Sequence, residues 1–237
     1  MELKYFQLQI MNERARRCSN HVDPDELGYM RFNGESKLGP SPCQKIKATS
    51  KVRDFYLPSS DLGSRLIMST QVKNILEEYR DDNLTFIHCP LTNGAQLMND
   101  FWITDVKIFN DEVVDFERSK FKLIEGWIEK EVNGIATEFG ERVTEIHFHN
   151  PDELKAFEKK NLNYLSTIKT VKLALKKDCK FSFFYLKSFG IFDMIISSEI
   201  KNRLHIRNLD KGVEFKPIEI SGEEWYGPNG IRKQFYK

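Results

Sequence analysis

The chain has 237 residues, 40% of them hydrophobic, with 36 Lys and Arg against 35 Asp and Glu, a formal net charge of +1. That length suits one large domain or two small ones, and the apolar content suffices for a core. The charge balance lacks the basic excess of a dedicated nucleic-acid binder. No window approaches the roughly 18 apolar residues of a membrane span.

Residues 1–10 alternate like a strand, with no basic start before an apolar run, so no secretion signal is read there and a cytoplasmic location is expected. Residues 11–50 read as an irregular wrapping segment, with turn signals at Asn33-Gly34, Gly39-Pro40 and Pro42. Leu66–Met68 is a short apolar run that reads as a buried strand. Ser69-Thr70 follows, able to cap a helix whose Val72, Ile75, Leu76 and Tyr79 share one face. Asp81-Asp82-Asn83 stops it before a strand carrying Phe86. Phe101–Phe109 alternates, and Asn110-Asp111-Glu112 predicts a β-hairpin back into Val113–Phe116. Phe121–Ile128 and Val143–Phe148 read as further strands. Asn150-Pro151-Asp152-Glu153 is a strong helix start, and that helix is expected to run to about Lys160. Residues 162–177 fit either a helix face or a strand. Phe181–Leu186 reads as a strand, and residues 221–237 as a glycine-containing tail.

One stretch occurs twice. Residues 66–91 and 194–220 align with one inserted residue, so that Ile67, Ser69, Lys73, Asn74, Leu76 and Phe86 fall on Ile195, Ser197, Lys201, Asn202, Leu204 and Phe215. Burial does not demand the polar matches, which favours a true relationship over a shared pattern. Each copy reads as strand–helix–strand. The predicted fold class is α+β: a mixed sheet with two similar strand–helix–strand units at about 66–91 and 194–220. The chain reads as a single domain over 1–237, with 1–149 and 150–237 as alternative lobes.

The second copy carries a resemblance. Ile195-Ile196-Ser197-Ser198-Glu199 through Gly212-Val213-Glu214-Phe215-Lys216-Pro217 resembles the strand, Ser, amphipathic helix, turn, x-Glu-Phe-x-Pro element of an immunity-protein family of bacterial polymorphic toxin systems, the eleventh catalogued, formerly a domain of unknown function. Phe183-Phe184-Tyr185-Leu186-Lys187 is similar to its Phe-Arg-Leu-Lys segment. Val114–Phe121 is similar to its Asp-x-x-x-Ser-x-Phe stretch. The resemblance covers about residues 50–220, and Phe86-Ile87-His88 departs from the Phe-x-Pro ending. It implies a non-enzymatic cytoplasmic immunity protein whose partner is a cognate toxin, with no cofactor, no nucleic acid and no membrane.

Four separated cysteines, Cys18, Cys43, Cys89 and Cys179, read as free thiols, two or three of them buried. Cys18-x-x-His21 with His88-Cys89 is the one spacing that approaches a zinc set, and no metal is expected. His147 and His149 share a strand face with Glu145, the centre of the rival reading as an enzyme of unrecognised class using a metal or acid/base site. The acidic pairs Asp81-Asp82 and Asp111-Glu112 sit at turns, where carboxylates are solvated. No catalytic residue is assigned.

Between the copies, Ile75 and Tyr79 are replaced by Arg203 and Arg207. Arginine in the last helical turn complements the macrodipole, and it is enriched in binding hot spots. Arg203 and Arg207, with the tail aromatics Trp225 and Tyr226, are the expected partner-binding residues.

Overall fold

The computed structural model describes residues 4–11, 18–20, 43–46, 51–59, 65–133, 135–163, 165–187 and 194–236. The turn signals at 33–42 and His21 lie outside them. In chain order the elements are β1 (Tyr5–Ile10), β2 (Ser19–Asn20), β3 (Gln44–Ile46), β4 (Phe55–Tyr56), β5 (Ile67–Ser69), α1 (Thr70–Glu77), β6 (Leu84–His88), β7 (Leu91–Asn93), β8 (Gln96–Met98) and β9 (Phe101–Val106). Then come β10 (Lys120–Val132), β11 (Ile135–Ile146), α2 (Pro151–Asn161), β12 (Ser166–Lys172), β13 (Phe183–Phe184), β14 (Ile195–Ser197), α3 (Ser198–Ile206), β15 (Val213–Pro217), α4 (Gly222–Tyr226) and α5 (Arg232–Phe235). The fold class is α+β. Two compact units are woven through the sequence. One comprises Met1–Asn110, Lys180–Tyr185 and Phe192–Pro217, the other Asp111–Cys179, Leu186–Ile191 and Ile218–Lys237.

The first unit contains two four-stranded sheets, β4–β5–β9–β6 and β13–β14–β1–β15. Their registers correspond position by position. Phe55 faces Met68 and Tyr56 faces Ile67; Phe183 faces Ile196 and Phe184 faces Ile195. Ser69, Met68 and Ile67 face Phe101, Trp102 and Ile103; Ser197, Ile196 and Ile195 face Tyr5, Phe6 and Gln7. Leu84 and Phe86 face Val106 and Thr104, as Val213 and Phe215 face Ile10 and Leu8. The flanking backbone bonds also correspond: Ser69 N–H donates to Asp54 and Thr70 N–H to Asp100, while Ser197 N–H donates to Ser182 and Ser198 N–H to Lys4.

Both helices start for the same local reason. The Ser69 hydroxyl accepts from Val72 N–H, and the Ser197 hydroxyl accepts from Ile200 N–H, satisfying donors that a first turn leaves open. Asn208, at φ 58°, takes the left-handed conformation just past α3, a conformation asparagine tolerates better than most residues. Val72, Ile75 and Leu76 of α1 and Ile200 and Leu204 of α3 enter one core with Phe6, Leu8, Met68, Leu84, Phe183, Ile196, Val213 and Phe215.

A third sheet of this unit, β2–β3–β7–β8, pairs β3 with β7 in parallel. It covers a smaller core of Cys18, Ile46, Tyr56, Ile67, Cys89, Leu91, Phe101 and Ile103. The hairpin expected from Phe101 into Val113–Phe116 does not form. β9 is a central strand between β5 and β6, residues Asp111–Val113 make a 3-10 turn, and Val114 bridges Leu175. The strand ends at Val106, short of the alternation expected to Phe109, and its partners β5 and β6 both precede it in the chain.

The second unit is built on the three-stranded antiparallel sheet β11–β10–β12. Its hairpin β10–β11 turns at Asn133, which has φ 51°, and the Asn-Gly pair at 133–134 is a strong hairpin signal. Residues 166–172, open between helix and strand in the sequence, are strand β12. Helix α2 begins as its sequence says: Asn150 accepts from Glu153 N–H, and Pro151 takes the first position. Phe116, Phe121, Phe148 and Phe157 form a chain of ring contacts at 5.5–6.0 Å. Trp127 lies across the opposing strand at Gly140, where any Cβ would strike the indole at 2.2 Å.

Candidate functional site

The candidate partner-binding residues fall in different units: Arg203 and Arg207 in the first, Trp225 and Tyr226 in the second. In the first unit α1 and α3 are neighbours, and Arg203 joins them. Its guanidinium donates to both Glu78 carboxylate oxygens, at 2.5 and 2.9 Å. It also donates to the Tyr79 hydroxyl at 3.0 Å and lies 5.3 Å from the centre of that ring. Tyr79 in turn donates to Glu199 at 2.7 Å. The bidentate fork is the geometry arginine supplies and lysine cannot. Hydrogen bonds from Arg203 hold the Glu78 carboxyl below its usual range, with Arg203 and Arg207 adding charge. Desolvation and the Glu199 contact raise the Tyr79 hydroxyl. Arg203 is therefore committed to a clamp within the protein.

Arg207 is exposed at the C-cap of α3. Beside it Ile206 is 81% exposed, and the exposed His205 contacts Asp210 at 2.7 Å. The end of α3 thus presents an exposed aliphatic side chain beside a cation. Ile206 escaped sequence reasoning because it lies off the apolar stripe that organised the comparison of the two helices.

Trp225 is 1% exposed and is not a surface anchor. Its ring stacks on Phe235 at 5.6 Å and meets Tyr236 edge-on at 6.3 Å. Ser221 and Glu224 form a reciprocal capping box that starts α4 just before Trp225. The spacing Ser221-x-x-Glu224 carries that signal in the sequence. Tyr226 is 53% exposed, with the Arg232 guanidinium 6.0 Å from its ring centre.

His147 and His149 are exposed and flank the buried Phe148. They lie just past the end of β11 at Ile146. His149 borders a cleft of about 400 Å³ with Glu112, Asp115, Glu117, Asn150 and Lys176. Among the described residues no group of three His, Cys, Asp or Glu side chains is arranged to hold a metal ion. The four cysteines are free thiols, Cys18 and Cys89 buried, Cys43 and Cys179 half-buried. Burial pushes the Cys89 thiol well above its ordinary value, helped by Cys18 and Cys43.

The Asp115–Ser119 stretch is a fastening turn. The Ser119 hydroxyl donates to Asp115 carbonyl at 2.7 Å and accepts from Ala174 N–H at 3.0 Å.

No helix among the described residues is long and apolar enough to cross a membrane. The chain matches no protein-family profile and no curated protein.

Proposed function

We propose that this protein is a cytoplasmic immunity protein that binds and neutralises a cognate bacterial toxin, acting by occlusion and not by catalysis. The observation that carries the reading is the element at 195–217, whose residues resemble that immunity family and whose helix ends in the exposed Ile206 and Arg207. Inhibition by occlusion needs a rigid scaffold and a complementary surface, and the buried stripe Ile200–Leu204 fixes that helix on its sheet. We infer further that β5–α1–β6 and β14–α3–β15 are two copies of one strand–helix–strand unit. Their matching registers and Ser69 and Ser197 caps support this.

The test is binding between the purified chain and the protein encoded immediately upstream of its gene, paired with survival of cells that express both. Arg207→Ala combined with Ile206→Asp should weaken binding by about 2 kcal/mol or more, roughly thirtyfold, with unchanged melting. An upstream product that neither binds nor harms cells overturns the toxin reading. Binding untouched by the double variant moves the interface off α3.

A further inference from the structure

The sheet β11–β10–β12 changes character along one of its faces. Directly opposed residues share a face, and so do residues two apart on one strand. Phe121 and Leu123 are buried there, whereas Glu125 and Trp127 carry the same face into the open. Arg142 faces Glu125 and Gly140 faces Trp127 from β11, and Ser166 faces Glu125 from β12. Gly126 N–H donates to the Leu165 carbonyl at 3.0 Å. A Cβ at Gly126 would meet that oxygen at 2.7 Å, so the glycine lets the segment after α2 close on the sheet. That segment brings Asn161 and Asn163 beside Glu125, Trp127, Arg142 and Ser166, and the six border a cleft of about 360 Å³.

We propose that this cleft binds a small neutral saccharide, with Trp127 as the platform for the sugar ring. A sugar ring offers C–H groups on one side and hydroxyls at its rim, each hydroxyl both donor and acceptor. A site for it needs an aromatic surface beside mixed donors and acceptors, without net charge. Trp127 supplies the surface: its indole lies across Gly140, and 44% of the residue stays exposed. Arg142 Nε and Nη2 both donate to Glu125 Oε2, at 3.0 and 2.7 Å. Among the described residues these are the two charged groups of the lining, and they neutralise each other. The pair leaves Arg142 Nη1 as a donor next to Glu125 Oε1 as an acceptor. Asn163 Oδ1 accepts from Leu165 N–H at 2.8 Å and from the Ser166 hydroxyl at 3.0 Å, which fixes the carboxamide and leaves its Nδ2 to donate. Asn161 Nδ2 donates to the Phe157 carbonyl at 3.0 Å, which leaves its Oδ1 to accept. A site built for an anion would hold an unpaired cation, which the Glu125–Arg142 pair denies. The proposal does not depend on the toxin reading.

The experiment is saturation-transfer NMR of the full chain with glucose, galactose, mannose, N-acetylglucosamine, cellobiose and maltose. At least one should receive saturation, strongest on the C–H protons of one ring face, with a dissociation constant on the order of 1 mM. Trp127→Ala should abolish the transfer, with melting little changed because the residue is exposed. Glu125→Ala combined with Arg142→Ala keeps the net charge and should raise the dissociation constant by about tenfold or more. Glucuronate should bind no more tightly than glucose. No transfer to any of these sugars overturns the proposal, as does transfer that survives Trp127→Ala. Tighter binding of glucuronate than of glucose marks an anion site and overturns it as well. Should Trp127→Ala fail to fold, the Glu125→Ala, Arg142→Ala chain decides, and unchanged affinity there removes the site.

Discussion

The sheets β4–β5–β9–β6 and β13–β14–β1–β15 share register but not chain order. In the first, the strand between the two flanks of the helix is β9, which follows β6 in the sequence. In the second it is β1, which precedes every other element. The hydrogen bonds are indifferent to this, since Met68 facing Trp102 and Ile196 facing Phe6 occupy the same place. Lys73 lies 5.1 Å from the Trp102 ring centre, and Lys201 lies 4.1 Å from that of Phe6. The comparison teaches that a central strand is selected by its apolar alternation and its edge, not by its distance along the chain. Connectivity alters the loop-closure entropy while leaving the pairing unchanged.

Paired substitutions probe how far the likeness extends into energetics. The largest effects should come from the helix cores. Leu76→Ala and Leu204→Ala, each at a site 1% exposed or less, should each cost about 2–5 kcal/mol in denaturant unfolding. A cost confined to one of the two would show that the sheets do not contribute alike. Next come the caps. Ser69→Ala and Ser197→Ala should each lower stability by about 1 kcal/mol. The Ser69 change should cost more, because that hydroxyl also donates to Asp54 at 2.8 Å. Equal losses would remove the Asp54 contact from the account.

A smaller effect separates the two arginines. Arg203→Ala should lower the melting temperature and Arg207→Ala should not, since Arg203 holds Glu78 and Tyr79 while Arg207 is exposed. The Arg203 effect should vanish in a Glu78→Ala, Tyr79→Ala background, and persistence there would mean that the arginine acts through its stem. The smallest effect concerns the second unit. Hydrogen bonds from Lys172 and from Ser221 hold the Glu224 carboxyl down at about 2. A depressed carboxyl adds stability that is present above its ordinary value of 4.5 and is lost as pH falls toward about 2. Trp225 fluorescence should therefore change across that window, modestly and with salt sensitivity, because Glu224 is half exposed. Lys172→Met should shift the change to higher pH, and an unmoved profile would rule out that ion pair as its cause.

Local chemistry was legible in the sequence. Ser69, Ser197 and Asn150 cap helices because each offers an oxygen where first-turn donors lack partners. Val72, Ile75, Leu76, Ile200 and Leu204 are buried because their spacing places them on one face. Asn133 and the Ser221–Glu224 box were equally local signals. What the tertiary structure alone decided were choices among distant partners of similar character. β9 took β5 and β6 in place of residues 113–116, and Arg203 met Glu78 across two helices. Trp225 found Phe235 and Tyr236. An alternating strand, an arginine or a tryptophan can satisfy itself in many ways. Only the packed chain settles which apolar surface and which carboxylate lie within reach.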